Sequence, residues 1–272
     1  MIRCDVLIPT ADRPAALAVT LAGLAAQSAR LRVVVADQSV APAADHPAVA
    51  SLLRALQVDG AEVEVHRRTE RRGVAEQRDF LLGRADSAHV LCLDDDVWLR
   101  PWAVQTLQDA LVELACGFVG MAVVGLSHRD DHRPEQLATF TPWDGDDVAP
   151  ERIRPGDAAW RRHELHNAAN PLHLAELTGA TPQDWLAYRV AWIGGCVLYD
   201  RACLTGCGGF SFWQHLPAPH AGADVVAQLR VMQRHGGAGI LPSGAVHLEL
   251  PTTIPDRRHQ AYEVLGPDLV TP

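Results

Sequence analysis

Short apolar runs alternate with amphipathic stretches through the first half of the chain. Apolar runs at 6–8 and 31–36 are typical of buried strands, whereas Leu17, Leu21 and Leu24 recur at helical spacing between them. The order β-α-β-α-β-α-β predicts an α/β fold with a mostly parallel central sheet and helices on both faces. The predicted strands lie at 6–8, 31–36, 63–65, 89–93 and 118–125, and helices begin at 14, 47, 73 and 101, the first with Asp12 as N-cap.

The pattern changes after residue 125. Residues 127–188 are rich in Pro, Trp, Asp and His and show little periodicity, which predicts a long irregular segment. Regular patterns return as strands at 192–199, 240–241 and 246–248 and as helices at 201–205 and 224–234. We therefore divide the chain into residues 1–125, a second half of the same domain at 126–250, and an extended tail at 251–272.

Composition excludes several classes of protein. The chain has 33 acidic and 24 basic residues, a net charge of −9, which argues against general nucleic-acid binding. Every basic residue is Arg, so a phosphate-loop lysine and a Schiff-base lysine are excluded. Six cysteines without a Cys-x-x-Cys pair indicate buried reduced thiols, and no apolar run approaches the roughly 20 residues of a membrane span. We expect a cytoplasmic protein.

Acidic residues follow two of the predicted strands. Asp37 ends the second strand, and Asp94, Asp95 and Asp96 come directly after the fourth. Ligands of parallel α/β sheets lie beyond the carboxyl ends of the strands. With a period of two, Asp94 and Asp96 would point the same way and could flank one divalent cation. The alternative is a solvated turn whose last Asp caps a helix.

Five stretches together resemble a family 2 glycosyltransferase of the GT-A fold. They lie at 5–13, 33–39, 73–79, 90–96 and 194–210, and the similarity covers roughly residues 2–250. The resemblance implies an inverting, metal-dependent transfer of sugar from a nucleoside diphosphate sugar, with UDP favoured as the nucleotide. It makes residues 1–125 the nucleotide-sugar half and 126–250 the acceptor half.

The resemblance also implies roles for single residues. Asp37 would accept a hydrogen bond from the base edge, Asp94 would approach the ribose, and Asp224 would be the catalytic base. The other positions implied to contact the nucleotide sugar are Thr10, Arg13, Arg78, Asp95 and Gly195, and those implied to hold Mn²⁺ or Mg²⁺ are Asp96 and His247.

Each of these positions also has a plain structural interpretation. Asp37 and Arg78 could form an ion pair, Asp224 could be an N-cap, and His247 could be a core histidine. The tryptophans of the irregular segment could form an acceptor platform or pack in the core. The pairs His163 with His166 and His215 with His220 are weak candidates for metal ligands.

Two further functions stay open beside glycosyl transfer. Ala223 stands where the family usually has Glu, which favours a catalytically silent sugar-nucleotide-binding or scaffold protein as the alternative. A nucleotidyltransferase or a dinucleotide oxidoreductase is disfavoured, because the first loop has no glycine. The expected partners are a UDP-linked donor and a hydroxyl acceptor on a saccharide, a lipid carrier or a small metabolite; self-association is open.

Overall fold

The computed structural model of the chain describes residues 3–144 and 148–266. Its strands are β1 (Cys4–Thr10), β2 (Leu31–Asp37), β3 (Glu62–Arg67), β4 (His89–Leu93), β5 (Val97–Leu99), β6 (Phe118–Gly120), β7 (Leu186–Tyr188), β8 (Cys196–Asp200), β9 (Ala238–Leu241) and β10 (Ala245–His247). Eight of them form one sheet in the order β3-β2-β1-β4-β8-β6-β9-β7, and β10 pairs with β5 in a two-stranded ribbon.

The large sheet has a parallel half and a mixed half. Strands β3, β2, β1 and β4 are parallel neighbours. Strand β8 runs antiparallel between β4 and β6, β9 is parallel to β6, and β7 is antiparallel to β9. The predicted α/β fold with a mostly parallel sheet is therefore confirmed, with its antiparallel strands confined to the second half.

Helices cover both faces of this sheet. They are α1 (Pro14–Ala25), α2 (Pro47–Val58), α3 (Val74–Leu82), α4 (Ala103–Glu113), α5 (Pro134–Leu137), α6 (Asn170–Thr178), α7 (Arg201–Gly206), α8 (Ala223–His235) and α9 (Ala261–Leu265). Alternate residues of β1 feed two cores: Val6 and Ile8 pack with α1, α2 and α4, whereas Leu7 packs with α3 and α8. This alternation follows from the period of two along a strand.

Three predicted boundaries were wrong. Strand β6 ends at Gly120, because the chain beyond it leaves the large sheet and Val124 instead pairs with Val246 of the small ribbon. The strand predicted at 192–199 begins only at Cys196. Asp12 is not the N-cap of α1: it lies one residue earlier with φ 57°, and its carboxylate accepts the Val40 N–H at 2.6 Å.

The segments expected to lack regular structure contain short helices. Within 127–188 these include α5, α6 and a 3₁₀ helix at Ala158–His166. The segment expected as an extended tail carries α9, whose Ala261 and Leu265 are buried; residues 267–272 of that segment lie outside the described residues. All six cysteines are free, five of them buried and Cys203 half-buried.

No helix within the described ranges 3–144 and 148–266 has the length and apolar character needed to cross a membrane.

Candidate active site

The acidic residues predicted from the sequence meet at one edge of the sheet. Thr10 and Asp37 are the last residues of β1 and β2, and the acid triplet Asp94–Asp96 directly follows β4. These strands are parallel neighbours, so their carboxyl ends open on the same side. The edge is therefore a concentrated patch of negative charge that needs cationic partners.

Arg13, at the start of α1, supplies one of these partners. Its guanidinium donates to Asp96 Oδ2 at 2.7 Å and also pairs with Asp95. Thr10 Oγ1 donates to the other Asp95 oxygen at 2.6 Å. Arg13 is 18% exposed, so both ion pairs are largely shielded from water.

Asp95 is the most buried member of the triplet, at 2% exposure. Burial raises the pKa of this carboxyl to about 6, against the opposing effects of Thr10 and Arg13. The backbone carbonyl of Asp95 also accepts a hydrogen bond from Thr20 at 2.9 Å, which fixes the turn to α1. Asp95 therefore anchors the loop, and its neighbours face the open edge.

A second arginine joins the triplet to the other half of the sheet. Arg78 of α3 donates to Asp94 Oδ1 at 2.7 Å and forms an ion pair with Asp224 in the first turn of α8. The alternative interpretation of Arg78 and Asp37 as an ion pair is therefore wrong. The N-cap interpretation of Asp224 is wrong too, because Gly222 occupies that position.

Asp94 and Asp96 do not share a partner. Asp94 contacts Arg78, whereas Asp96 contacts Arg13 and lies near His247. The chain turns at Asp95 and Asp96, so the alternation of an extended strand does not hold there. The structure therefore does not support the expectation that these two carboxylates flank one cation.

Asp37 lies beneath the edge and is fully buried. Its carboxylate accepts the Ser39 and Ala43 N–H groups and a guanidinium N–H of Arg67, each at 2.8 Å. Although burial opposes ionisation, these hydrogen bonds hold the pKa of Asp37 below its usual range. The expected hydrogen bond from Asp37 to a nucleotide base does not fit this arrangement, because both carboxylate oxygens already accept hydrogen bonds from the protein.

His247 borders the other side of Asp96. The two side chains lie 3.6 Å apart between His247 Nε2 and Asp96 Oδ2, and two ligands at about 2.1 Å from one cation can be up to about 4.2 Å apart. His247 is 35% exposed, so it is not a core histidine. Its Nδ1 accepts the Glu249 N–H at 2.9 Å, which leaves the ring proton of the neutral form on Nε2.

The described residues therefore offer a partial cation site. They contain no group of three Cys, His, Asp or Glu side chains arranged to hold a metal ion. Asp96 and His247 fit a cation whose other ligands are phosphate oxygens, which is how Mg²⁺ is often held. Ligation by His247 Nε2 requires that nitrogen to lose its proton and the contact of Nδ1 with Glu249 to change.

Gly195, which the resemblance implies to contact the nucleotide sugar, accepts the Asp94 N–H at 2.9 Å. It has φ 81°, and a Cβ atom there would meet Val123 at 2.8 Å and stand 3.7 Å from Asp94 Oδ2. The preceding backbone is fixed by Gln228 of α8, whose amide bonds the N–H and C=O of Ile193 at 2.8 and 2.6 Å. The Gln228 contact has no signal in the sequence, because its partner is a main-chain group.

His220, a weak metal-ligand candidate from the sequence, instead has a structural role that the sequence did not indicate. It is fully buried, its Nε2 accepts the Ala75 N–H at 3.2 Å, and its Nδ1 bonds the Pro217 carbonyl at 2.8 Å. Burial lowers the pKa of this imidazole, so it stays neutral. His220 thus connects the loop before Asp224 to the start of the helix that carries Arg78.

The tryptophans divide between two environments. Trp143 is buried and Trp185 packs against the same core. Trp160 and Trp192 are half-buried against the second core, and both contact His163, which stacks on Trp192 with ring centroids 5.7 Å apart. Core packing is therefore confirmed for all four, and an acceptor platform stays a prediction for Trp160 and Trp192.

A match to a protein-family model identifies the family of the chain. The model described as Glycosyl transferase family 2 matches residues 5–171, more than half of the chain. The chain belongs to glycosyl transferase family 2. No curated protein matches this family 2 chain significantly in sequence.

Solved structures show the same fold. The family 2 chain superimposes on S. aureus TarS 1–349 in complex with UDP with a TM-score of 0.59 and 15% identity, covering 99% of this chain and 64% of that one. For the UDP-GlcNAc complex of the same protein the TM-score is 0.59 at 14% identity, covering 92% and 60%. For PcManGT from Pyrobaculum calidifontis, solved with GDP-Man and Mn²⁺, it is 0.51 at 18% identity, covering 93% and 58%.

These likenesses establish the GT-A architecture of the chain. The family 2 chain spans less than two thirds of the length of each of these solved chains. The fold accommodates Ala223 in place of the Glu that is usual in the family. The Ala223 side chain is 2% exposed and packs in the core, so Asp224 has no acidic neighbour at that position.

Proposed function

We propose that this family 2 chain transfers a sugar from a nucleoside diphosphate sugar to a hydroxyl group, with inversion at the anomeric carbon. The observation that carries the proposal is Arg78, which contacts both Asp94 of the acid triplet and Asp224 of α8. A donor at the triplet and an acceptor proton at Asp224 would then lie on two sides of one guanidinium. The resemblance to inverting transferases of this family supports the stereochemistry.

UDP is the favoured nucleotide of the donor. The complexes of TarS with UDP and UDP-GlcNAc support this choice, whereas the complex of PcManGT holds GDP-Man. Thr10, Arg13, Arg78, Asp94, Asp95 and Gly195 border the edge that would receive the donor. Asp37 would act there by shaping the 38–43 loop rather than by touching the base.

Asp96 and His247 would hold Mn²⁺ or Mg²⁺ together with the diphosphate. A bound divalent cation neutralises the negative charge that grows on the diphosphate as it leaves. The Mn²⁺ in the PcManGT complex supports this part of the proposal. Arg13 already pairs with Asp96, so its guanidinium is placed to turn toward phosphate oxygens when Asp96 takes another partner.

Asp224 would take the proton of the acceptor hydroxyl. The carboxylate is 24% exposed and pairs with Arg78, so it is open to the edge. A diphosphate offers Arg78 a new anionic partner, which frees Asp224 to accept a proton. The buried Ala223 favours one alternative: a silent protein that binds the donor without turning it over.

The test combines binding with turnover. We expect UDP to bind in the presence of Mn²⁺ by calorimetry, and Asp96→Ala to weaken that binding at least tenfold because a cation ligand is lost. We expect Asp224→Asn to keep UDP binding but to slow sugar release from UDP-GlcNAc or related donors by about 10²–10⁴-fold.

Asp109→Asn, an exposed carboxylate on α4, serves as the matched control. Unchanged UDP affinity in Asp96→Ala would remove the assignment of the site. Binding without turnover of any donor in the wild type would establish the silent protein instead.

A further inference from the structure

A cleft of about 740 Å³ lies next to the acid triplet, and most of it is unused by the proposed donor contacts. Its charged and titratable lining residues are His128, Arg133, His247, Glu249 and Arg257, with the half-buried His166 behind them. Burial lowers the pKa of His166 to about 4, so that imidazole is neutral. The other charged side chains, two arginines and one glutamate, make the cleft cationic.

One end of the cleft opens at the proposed donor site. His247 forms part of its wall and stands 3.6 Å from Asp96. Val123, on the same wall, is the residue that a Cβ at Gly195 would strike, and Asp94 Oδ2 lies 3.7 Å from the same Cβ position. A molecule in the cleft therefore borders the position expected for the donor sugar.

Backbone hydrogen bonds fix the loops around the cleft. Gly125 donates to the Ala168 carbonyl at 2.9 Å, and His247 donates to the Val124 carbonyl at 3.0 Å. Ala168 and Glu249 line the cleft with φ of 54° and 56°. Such conformations cost about 1 kcal/mol or more for residues other than glycine, and they cluster at functional sites.

Arg257 is the arginine of the cleft whose charge has no carboxylate partner among the described residues. Within the part of the chain that the structure describes, its guanidinium hydrogen-bonds only to the Thr252 hydroxyl, at 3.3 Å. The adjacent Arg258 is exposed like Arg257, but it differs in pairing with Asp256 at 2.6 Å. The charge of Arg257 is therefore available to a ligand, whereas Arg258 already has a carboxylate partner.

The two other charged residues of the cleft, Arg133 and Glu249, already have partners in the protein. Arg133 pairs with Asp131 at the surface, where an ion pair contributes little to stability. Glu249 accepts the Ser127 N–H at 3.1 Å and the Ser127 hydroxyl. Its negative charge is thus satisfied by the protein, and the cation at Arg257 is not.

We propose that this cleft binds an acidic group, a phosphate or a carboxylate, carried by the acceptor. The inference rests on the proposed function. The acceptor hydroxyl loses its proton to Asp224 and its oxygen bonds to the anomeric carbon. The bond from that carbon to the diphosphate breaks, and its electron pair leaves with the nucleoside diphosphate.

The direct test measures binding of glycerol 1-phosphate by calorimetry to protein saturated with UDP and Mg²⁺, with glycerol as the neutral match. We expect glycerol 1-phosphate to bind and glycerol not to bind. Arg257→Gln should weaken the binding about tenfold, because a charge-assisted hydrogen bond is lost. Arg258→Gln, the matched neighbour, should leave it unchanged.

UDP affinity is measured for all three proteins, which separates this inference from the proposed function. Loss of UDP binding by the wild type would overturn the proposed function. Normal UDP binding with no affinity for glycerol 1-phosphate, or equal effects of the two arginine variants, would overturn the inference alone.

The anion could instead belong to the donor sugar, as in a uronic acid. We expect Arg257→Gln to leave the affinities for UDP-glucose and UDP-glucuronate unchanged. A selective loss of UDP-glucuronate affinity in this variant would overturn the assignment of the cleft to the acceptor.

Discussion

At the scale of single residues, the acid triplet shows how three neighbours acquire three environments. Asp94 pairs with Arg78, Asp95 is buried against Thr10 and Arg13, and Asp96 faces His247. The sequence indicated that acids gather at this edge, because their place after β4 follows from the hydrophobic pattern. It could not assign their partners, since those depend on a turn and on loops far away along the chain.

The pKa of Asp95 predicts a pH-dependent stability. Because its folded pKa of about 6 lies above the unfolded value near 3.9, its contribution is present below about pH 4 and is lost as the pH rises through 6. Between pH 4 and 7, wild type should lose up to about 3 kcal/mol relative to Asp95→Asn. Urea unfolding across this range measures the difference.

The control for this measurement is Asp109→Asn, whose unfolding free energy should follow the wild type at every pH. Parallel curves for wild type and Asp95→Asn would show that Asp95 does not ionise with a raised pKa.

At the scale of elements, the start of α3 and the loop before α8 form one unit through His220. The sequence predicted both helices, because each has apolar residues at helical spacing. It gave no sign that a histidine joins them, since a buried imidazole that bonds two main-chain groups leaves no pattern. The burial of Asp37 was equally hidden, because it depends on the 38–43 loop folding over β2.

Gly73→Ala tests this unit. Gly73 has φ 99°, and a Cβ there would lie 2.7 Å from His220 Nδ1, so the ring must move and release Ala75. We expect the variant to lose about 1–3 kcal/mol of unfolding free energy and to bind UDP more weakly, because Arg78 shifts with α3.

Gly60→Ala is its matched control, with φ 90° and no atom within 4 Å of the added Cβ. It shares the backbone cost without the collision, so UDP affinity should stay at the wild-type value. Equal effects of the two variants on UDP affinity would show that the His220 contact does not position Arg78.

At the scale of the whole molecule, the parallel half and the mixed half of the sheet meet between β4 and β8, and the candidate site lies along this junction. The C-terminal segment adds a support to the mixed half. Ala221 exchanges backbone hydrogen bonds with His259 and Ala261, at 2.9 and 2.8 Å, directly before α8. The sequence predicted an extended tail because a five-residue helix is too short to show periodicity.

Leu265→Ala should separate the two halves in function. Leu265 is 7% exposed and packs with the core beneath α8, so its truncation should cost about 2 kcal/mol or more of unfolding free energy. We expect sugar transfer to fall while UDP affinity stays, because α9 supports Asp224 and not the parallel strands.

The neighbouring Val264, which is 43% exposed, gives the control variant Val264→Ala with near wild-type stability and turnover. A loss of UDP affinity in Leu265→Ala as large as its loss of turnover would contradict this division.

The double contact of Arg13 with Asp95 and Asp96 has a consequence for how the protein behaves without ions. The fold carries its own internal counter-ion for these carboxylates, and a guanidinium keeps its charge at every pH at which proteins are handled. Treatment with a chelator should therefore leave the thermal midpoint of the free protein unchanged, as scanning calorimetry would measure. Divalent ions should stabilise it only when a nucleotide accompanies them.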